Sequence, residues 1–199
     1  MSRDEFVATY WKYYLILEQH FEESEKYVEF SVDNYATYSM QFISCLMETG
    51  AELDGVMKSI CGFSPDDRKT IQDYAPKILG KYPDINTKEV IVRGNAIMPF
   101  KGWTITQPAQ SLEWWKAYNS VKHGRSNNYK KANLKNVLYA LAALFLLEMY
   151  RIQELADDSK EEMDIPDKAS KLFVAKSWEQ KYVPFGFLMG KIDGKIEVN

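Results

Sequence analysis

The segment Trp114-Trp115-Lys116-Ala117-Tyr118-Asn119-Ser120-Val121-Lys122-His123-Gly124-Arg125 carries one of the chain's two histidines. On a helix, Lys116, Asn119 and His123 share a face, because steps of three, four and seven residues close nearly whole turns. Histidine is the side chain best suited to moving protons near neutral pH. A cation on the same face can hold a phosphate beside it. From Trp114 to Asn136 there are six Lys/Arg and no Asp/Glu, in a chain whose net charge is −3.

Each piece also has an ordinary reading. His123 can be a helix-terminal histidine at the negative end of the dipole. Trp114, Trp115 and Tyr118 can be core packing, and Lys122, Arg125, Lys130 and Lys131 a solvated surface. Two features favour chemistry. The charge is of one sign across two adjoining helices, and Gly124 implies a tight turn between them. Exposed amides at the second helix start favour an anion. Aromatic residues among the cations, Trp115 in particular, could stack a base.

The elements that must position these groups read as helices. Ser2-Arg3-Asp4-Glu5 is a capping-box pattern, and Phe6, Tyr10, Tyr14, Leu17 and Phe21 recur at helical spacing, so helix one is expected to run to about Glu22. Helix two is expected over about 31–60, on the stripe Tyr35, Tyr38, Phe42, Leu46, Thr49, Leu53, Val56 and Ile60. Gly50 and Gly55 weaken it, as a close helix contact would explain. Ser64-Pro65-Asp66-Asp67 marks the start of helix three, which Pro76 should kink or end. Residues 85–107 read as a short strand at 89–92, a turn at Arg93-Gly94-Asn95 and a long connection. Pro108 opens helix four, which should end on Gly124 as a left-handed cap. Asn127 or Asn128 should cap helix five, running to about Ala156. Its stretch from Val137 to Leu147 is apolar on every side, so the helix is central or faces a partner. Asp157 to Asp167 is an acidic break, and residues 191–196 form a candidate hairpin through Asp193-Gly194. The expected fold is an all-α, up-and-down bundle of about five helices with a minor β element. The expected division is a helical bundle over 1–156 and a C-terminal extension over 157–199 packing on it.

Several classes are disfavoured. A pI near 5.5 argues against indiscriminate coating of nucleic acid. Cys45 and Cys61 fall on one expected helix, about 24 Å apart, so they do not bridge. No Cys/His spacing suggests zinc. Glu48, Glu52 and Asp54 lack a nearby histidine in sequence and read as a solvated face rather than a metal site. His20 reads as exposed. There is no phosphate-binding glycine loop, Rossmann fingerprint or nucleophile elbow. The N-terminus is unlike a signal peptide, and the longest apolar run is too short to span a bilayer. A cytoplasmic protein with reduced thiols and no membrane partner is the default expectation.

A helix, a tight turn and a long apolar helix, with a polar motif ending in His at the junction, resembles the HEPN superfamily of nucleotide-binding helical bundles. The family's signature is Arg, four to six residues, then His. Here His123 matches the His, and Lys116, with six residues between, stands in place of the Arg. Asn119 is similar to a polar position inside many members' motifs, and Asn119-Ser120-Val121-Lys122-His123 looks like a variant in members lacking the full signature. The resemblance implies a bundle, contact with RNA or a nucleotide, and no metal or other cofactor. It implies a homodimer with the two motifs facing each other and, in defence or toxin–antitoxin systems, an antitoxin-like protein partner. In an active member His123 would transfer the proton, Lys116 and Arg125 would stabilise the phosphorane, and Asn119 would orient the phosphate or the imidazole. A silent member would be a binding or protein–protein interaction module. Lys at the Arg position offers a point charge in place of a planar fork.

Overall fold

Every side chain from Val137 to Leu147 is buried except that of Tyr139, which is half-buried. A helix apolar all round has to sit at the centre, and in the computed structural model α7 (Leu134–Ser159) does so. The structure describes residues 1–159, 166, 168–175 and the strand residues 191–192 and 195–196. The chain is mainly helical with small antiparallel sheets, as expected. Helix α3 (Met40–Cys61) packs along α7. Around this pair lie α1 (Arg3–Phe6), α2 (Lys12–Glu22), α4 (Ile71–Lys81), α5 (Pro108–Ser111) and α6 (Glu113–Asn128).

Helix one is continuous but not uniform. Its capping box forms, Ser2 accepting from the Glu5 amide at 3.2 Å and Glu5 accepting from the Ser2 amide at 2.8 Å. Between α1 and α2 a π-helical turn (Val7–Trp11) adds residues to the turn and rotates the buried face. Trp11 thereby enters the core with Phe6 and Tyr14, while Tyr10 is only half-buried.

The other helix starts differ from expectation, each for a tertiary reason. Helix two begins at Met40, not near Ser31, with Ser39 Oγ accepting from the Phe42 amide at 3.0 Å. Residues 35–37 bond instead to the start of α7, Leu134 N donating to Thr37 O at 2.8 Å and Lys135 N to Tyr35 O at 3.2 Å. Ser64 to Asp67 forms a separate turn, and α4 starts where the Asp73 carboxylate accepts from the Thr70 amide at 2.8 Å. Pro76 neither ends α4 nor stops it short of Lys81. Ile71, Tyr74, Ala75 and Ile78 are buried around it, and their burial offsets the roughly 3 kcal/mol that an interior proline costs. Helix α7 is capped by Asn133, whose Oδ1 accepts from Asn136 N at 3.0 Å, not by Asn127 or Asn128.

The 85–107 connection is more ordered than its composition suggests. β1 (Val90–Val92) pairs antiparallel with β2 (Asn95–Ile97) through Arg93 and Gly94, at φ 45° and 79°, the paired positive angles that a tight hairpin turn needs. β3 (Phe173–Ala175), from the C-terminal side, adds to the free edge of β1. This segment is held to α2 by Glu18, which is fully buried. Its carboxylate accepts from Tyr14 Oη at 2.7 Å, from the Lys171 and Leu172 amides at 3.0 and 3.1 Å, and from Ser170 Oγ. Four donors satisfy a charge that burial would otherwise make costly. Leu172, Phe173 and Ala175 join the core. β4 (Lys191–Ile192) pairs with β5 (Lys195–Ile196), the strands expected of the Asp193-Gly194 hairpin. The expected acidic break starts late, because α7 continues to Ser159; residues 160–165 and 167 of that segment lie outside the described residues. Among the described residues no helix is long and apolar enough to cross a membrane.

Candidate nucleic-acid interface

The break expected at Gly124 is present, with a different geometry. Gly124 is at φ −161° and ψ 57°, extended rather than left-handed, and the helical path resumes after it. The Gly124 carbonyl freed by the break accepts from Asn128 Nδ2 at 2.9 Å. His123 therefore sits at the end of the first, straight part of α6 and is exposed.

That straight part is fixed from beneath. Trp114 Nε1 donates to Pro99 O at 2.7 Å, and its ring meets Phe100 and Trp115 edge-on. Tyr118 lies flat against α3 at Gly50. A Cβ there would come within 2.2 Å of Tyr118 Cδ2, so only glycine allows this approach. With one face of α6 buried by Trp114, Trp115, Tyr118 and Val121, the opposite face presents Lys116, Lys122 and His123 to solvent.

These groups open into one cleft of about 830 Å³. Lys116, Asn119, Lys122, His123, Lys130 and Lys131 all line it, together with Lys69 from the loop before α4. Two carboxylates also line it, and both are occupied: Asp54 pairs with Lys58 at 3.0 Å and accepts from Tyr74 Oη at 2.7 Å, and Glu113 pairs with Lys135 at 2.6 Å. None of the five cleft lysines forms a close ion pair among the described residues, although the charge of Lys69 is felt by the Asp73 carboxylate. Lys131 Nζ donates to Ser120 Oγ at 3.0 Å, and Lys69, Lys122 and Lys130 lie over the rings of Phe63, Tyr118 and Tyr38. Asn119 spends one N–H on Trp115 O at 3.0 Å and keeps the other and its carbonyl oxygen for the cleft. Like charges held in a concave site focus a positive potential.

Two expected binding residues take other places. Arg125, beyond the break, is exposed but does not line the cleft, because the Gly124 bend turns it away. Trp115 does line the cleft, yet is only 5% exposed, with Trp114 at 5.8 Å and Tyr118 at 5.4 Å. It forms the floor and has no free face to offer a base. Lys69 was not legible as a site residue, because nothing in its local sequence links it to α6.

Other chemistries are poorly served. Burial pushes both free thiols up to about 11, which keeps Cys45 and Cys61 as unreactive thiols at neutral pH. Glu52 is not the solvated helix face expected of it, since burial raises its carboxyl to about 7. His20 lies 3.9 Å from Glu48 and is half exposed. Among the described residues no group of three or more His, Cys, Asp or Glu side chains is arranged to hold a metal ion. Comparison with known proteins returns no match to a family model, a curated protein or a solved structure.

Proposed function

We propose that this chain is a HEPN-like RNA-binding protein that takes the phosphate backbone into the lysine-lined cleft of α6. The observation that carries this reading is the convergence of His123 and five lysines, none in a close ion pair among the described residues, on one concave site whose two acids are already paired. A polyanion supplies the counter-charge that the protein does not. The Lys116-to-His123 spacing, similar to the family's motif, supports RNA over other polyanions. By the same resemblance the working form is a homodimer, with an antitoxin-like partner in a bacterial or phage defence system.

The test is binding of labelled single-stranded RNA as salt is varied. Each phosphate neutralised contributes about −0.7 to the slope of log affinity against log salt. Combining Lys116→Ala, Lys122→Ala and Lys131→Ala should flatten that slope by about two units. Exposed lysines can be removed without unfolding the bundle, so unchanged affinity and slope in the folded triple variant would sink the proposal.

One observation favours cleavage beyond binding. His123 is exposed on the cleft wall with no hydrogen-bond partner among the described residues, so its ring is available to substrate. In this reading the 2′-oxygen attacks phosphorus and the bond to the 5′-oxygen breaks, giving a 2′,3′-cyclic phosphate and a 5′-hydroxyl. His123 takes the 2′-hydroxyl proton, solvent protonates the leaving oxygen, and Lys116 stabilises the phosphorane charge. With EDTA present, His123→Ala should cut RNA about 10²–10⁴-fold more slowly than wild type. Equal rates would remove the cleavage step and leave binding standing.

A further inference from the structure

Next to the cleft stand two aromatic side chains that the site so far does not use. Tyr38 and Tyr129 are 43% and 39% exposed, with ring centroids 5.5 Å apart and planes at 73°. Lys130 Nζ lies 5.7 Å from the Tyr38 ring centroid, and Lys130 itself lines the cleft. Both rings stand on a fixed backbone. Tyr38 forms an antiparallel bridge with Asn133, a cleft residue, and Tyr129 opens the short 3₁₀ turn Tyr129–Lys131. An exposed edge-to-face pair gains less from packing than it would in the core, and both rings keep about two-fifths of their surface in water, the Tyr38 ring with the Lys130 ammonium over it.

We infer that Tyr38 and Tyr129 form a base-stacking platform that extends the cleft, holding an unpaired nucleobase of the RNA whose phosphates the lysines bind. This rests on the RNA-binding reading above. Trp115 lacks a free face, so the cleft itself grips backbone and not bases; a base has to leave it, and this exposed pair is joined to the cleft through Lys130 and Asn133. Every base has a π face, so stacking is tolerant of sequence. Lys130 joins the two parts, its ammonium being near the ring and in the cleft at once, which suits a nucleotide with its phosphate on one side and its base on the other. An apolar protein partner would not match a platform bordered by Lys130 and Lys131.

The experiment compares Tyr38→Ala, Tyr129→Ala and the corresponding Phe variants with wild type and Lys116→Ala. The ligands are an ordinary single-stranded RNA and an oligonucleotide of the same length with abasic residues. The two Ala variants should each bind ordinary RNA about five- to a hundredfold more weakly, with an unchanged salt slope. The Phe variants should keep wild-type affinity. The abasic strand should bind wild type and the Ala variants alike. Melting temperatures near that of wild type are expected, because both rings are on the surface. Wild-type affinity in both Ala variants, with Lys116→Ala still weakened, would overturn the platform and spare the cleft. Failure of wild type to bind any RNA would overturn both. Loss of self-association in the Ala variants without RNA would show a protein interface and overturn the platform.

Discussion

Gly50→Ala should destabilise the protein, although alanine is the better helix former. The new Cβ would sit 2.2, 2.4 and 2.6 Å from Cδ2, Cε2 and Cγ of Tyr118. The clash reaches the root of the ring, so turning the ring does not relieve it, and Trp115 at 5.4 Å blocks the way out. Overpacking of this kind costs ~1–3 kcal/mol or more, against a gain of ~1 kcal/mol from replacing glycine within a helix. With no room on either side the clash wins, and a net loss of about 2 kcal/mol is expected, a fall of about 4–8 °C in Tm for a chain of this size. Gly55→Ala is the matched control. Its nearest neighbour would be Tyr10 Cε1 at 3.8 Å, an ordinary contact, so the same substitution one turn further on should stabilise by about 0.5–1 kcal/mol. Thermal melts of the pair decide the matter, and equal shifts of the same sign would contradict this account. Because Tyr118 holds α6, Gly50→Ala should also weaken RNA binding, while Gly55→Ala leaves it intact.

Replacing Glu148 should have the opposite effect. Glu148 lies on α7, 0% exposed, and neither carboxylate oxygen has a hydrogen-bond partner among the described residues. Burial, and then the charge of Glu52, hold its carboxyl well above the usual range, and burial raises Glu52 to about 7. Burial first, then these two carboxylates, also raise the Tyr10 phenol. The folded state therefore keeps protons that the unfolded chain releases near pH 4.5. Stability is fullest below that pH and falls as pH rises through the folded values, past about 7 for Glu52 and further for Glu148. Tm should thus decline from pH 5 to pH 8. Glu148→Met removes an unsatisfied buried group, a change worth about 1–3 kcal/mol, and should raise Tm by about 2–12 °C at pH 8 while flattening the decline. A less stable Met variant with an unaltered pH slope would show that Glu148 has a partner that stabilises its charge.

The wall of the candidate site was legible in the residues themselves. Lys116, Asn119 and His123 share a helix face because the helical repeat is a local property, and the aromatic residues between them mark the face that must be buried. The centrality of α7 follows likewise from an apolar run with no polar side. What tertiary structure alone decided is which signals prevailed where several were available. Ser31 and Ser64 each cap only a short turn, accepting from the Asp33 and Asp66 amides, and neither turn continues into the long helix that follows. The 35–37 segment is instead bonded to the start of α7, and Asn128 is engaged by the Gly124 carbonyl. Lys69 and Tyr38 come to the cleft and its margin from elsewhere in the chain, Arg125 turns away from the cleft, and Trp115 is covered. Local sequence sets which side chains point the same way along one element. Which of them remain in water depends on the neighbour that packs against it, and that neighbour comes from elsewhere in the chain.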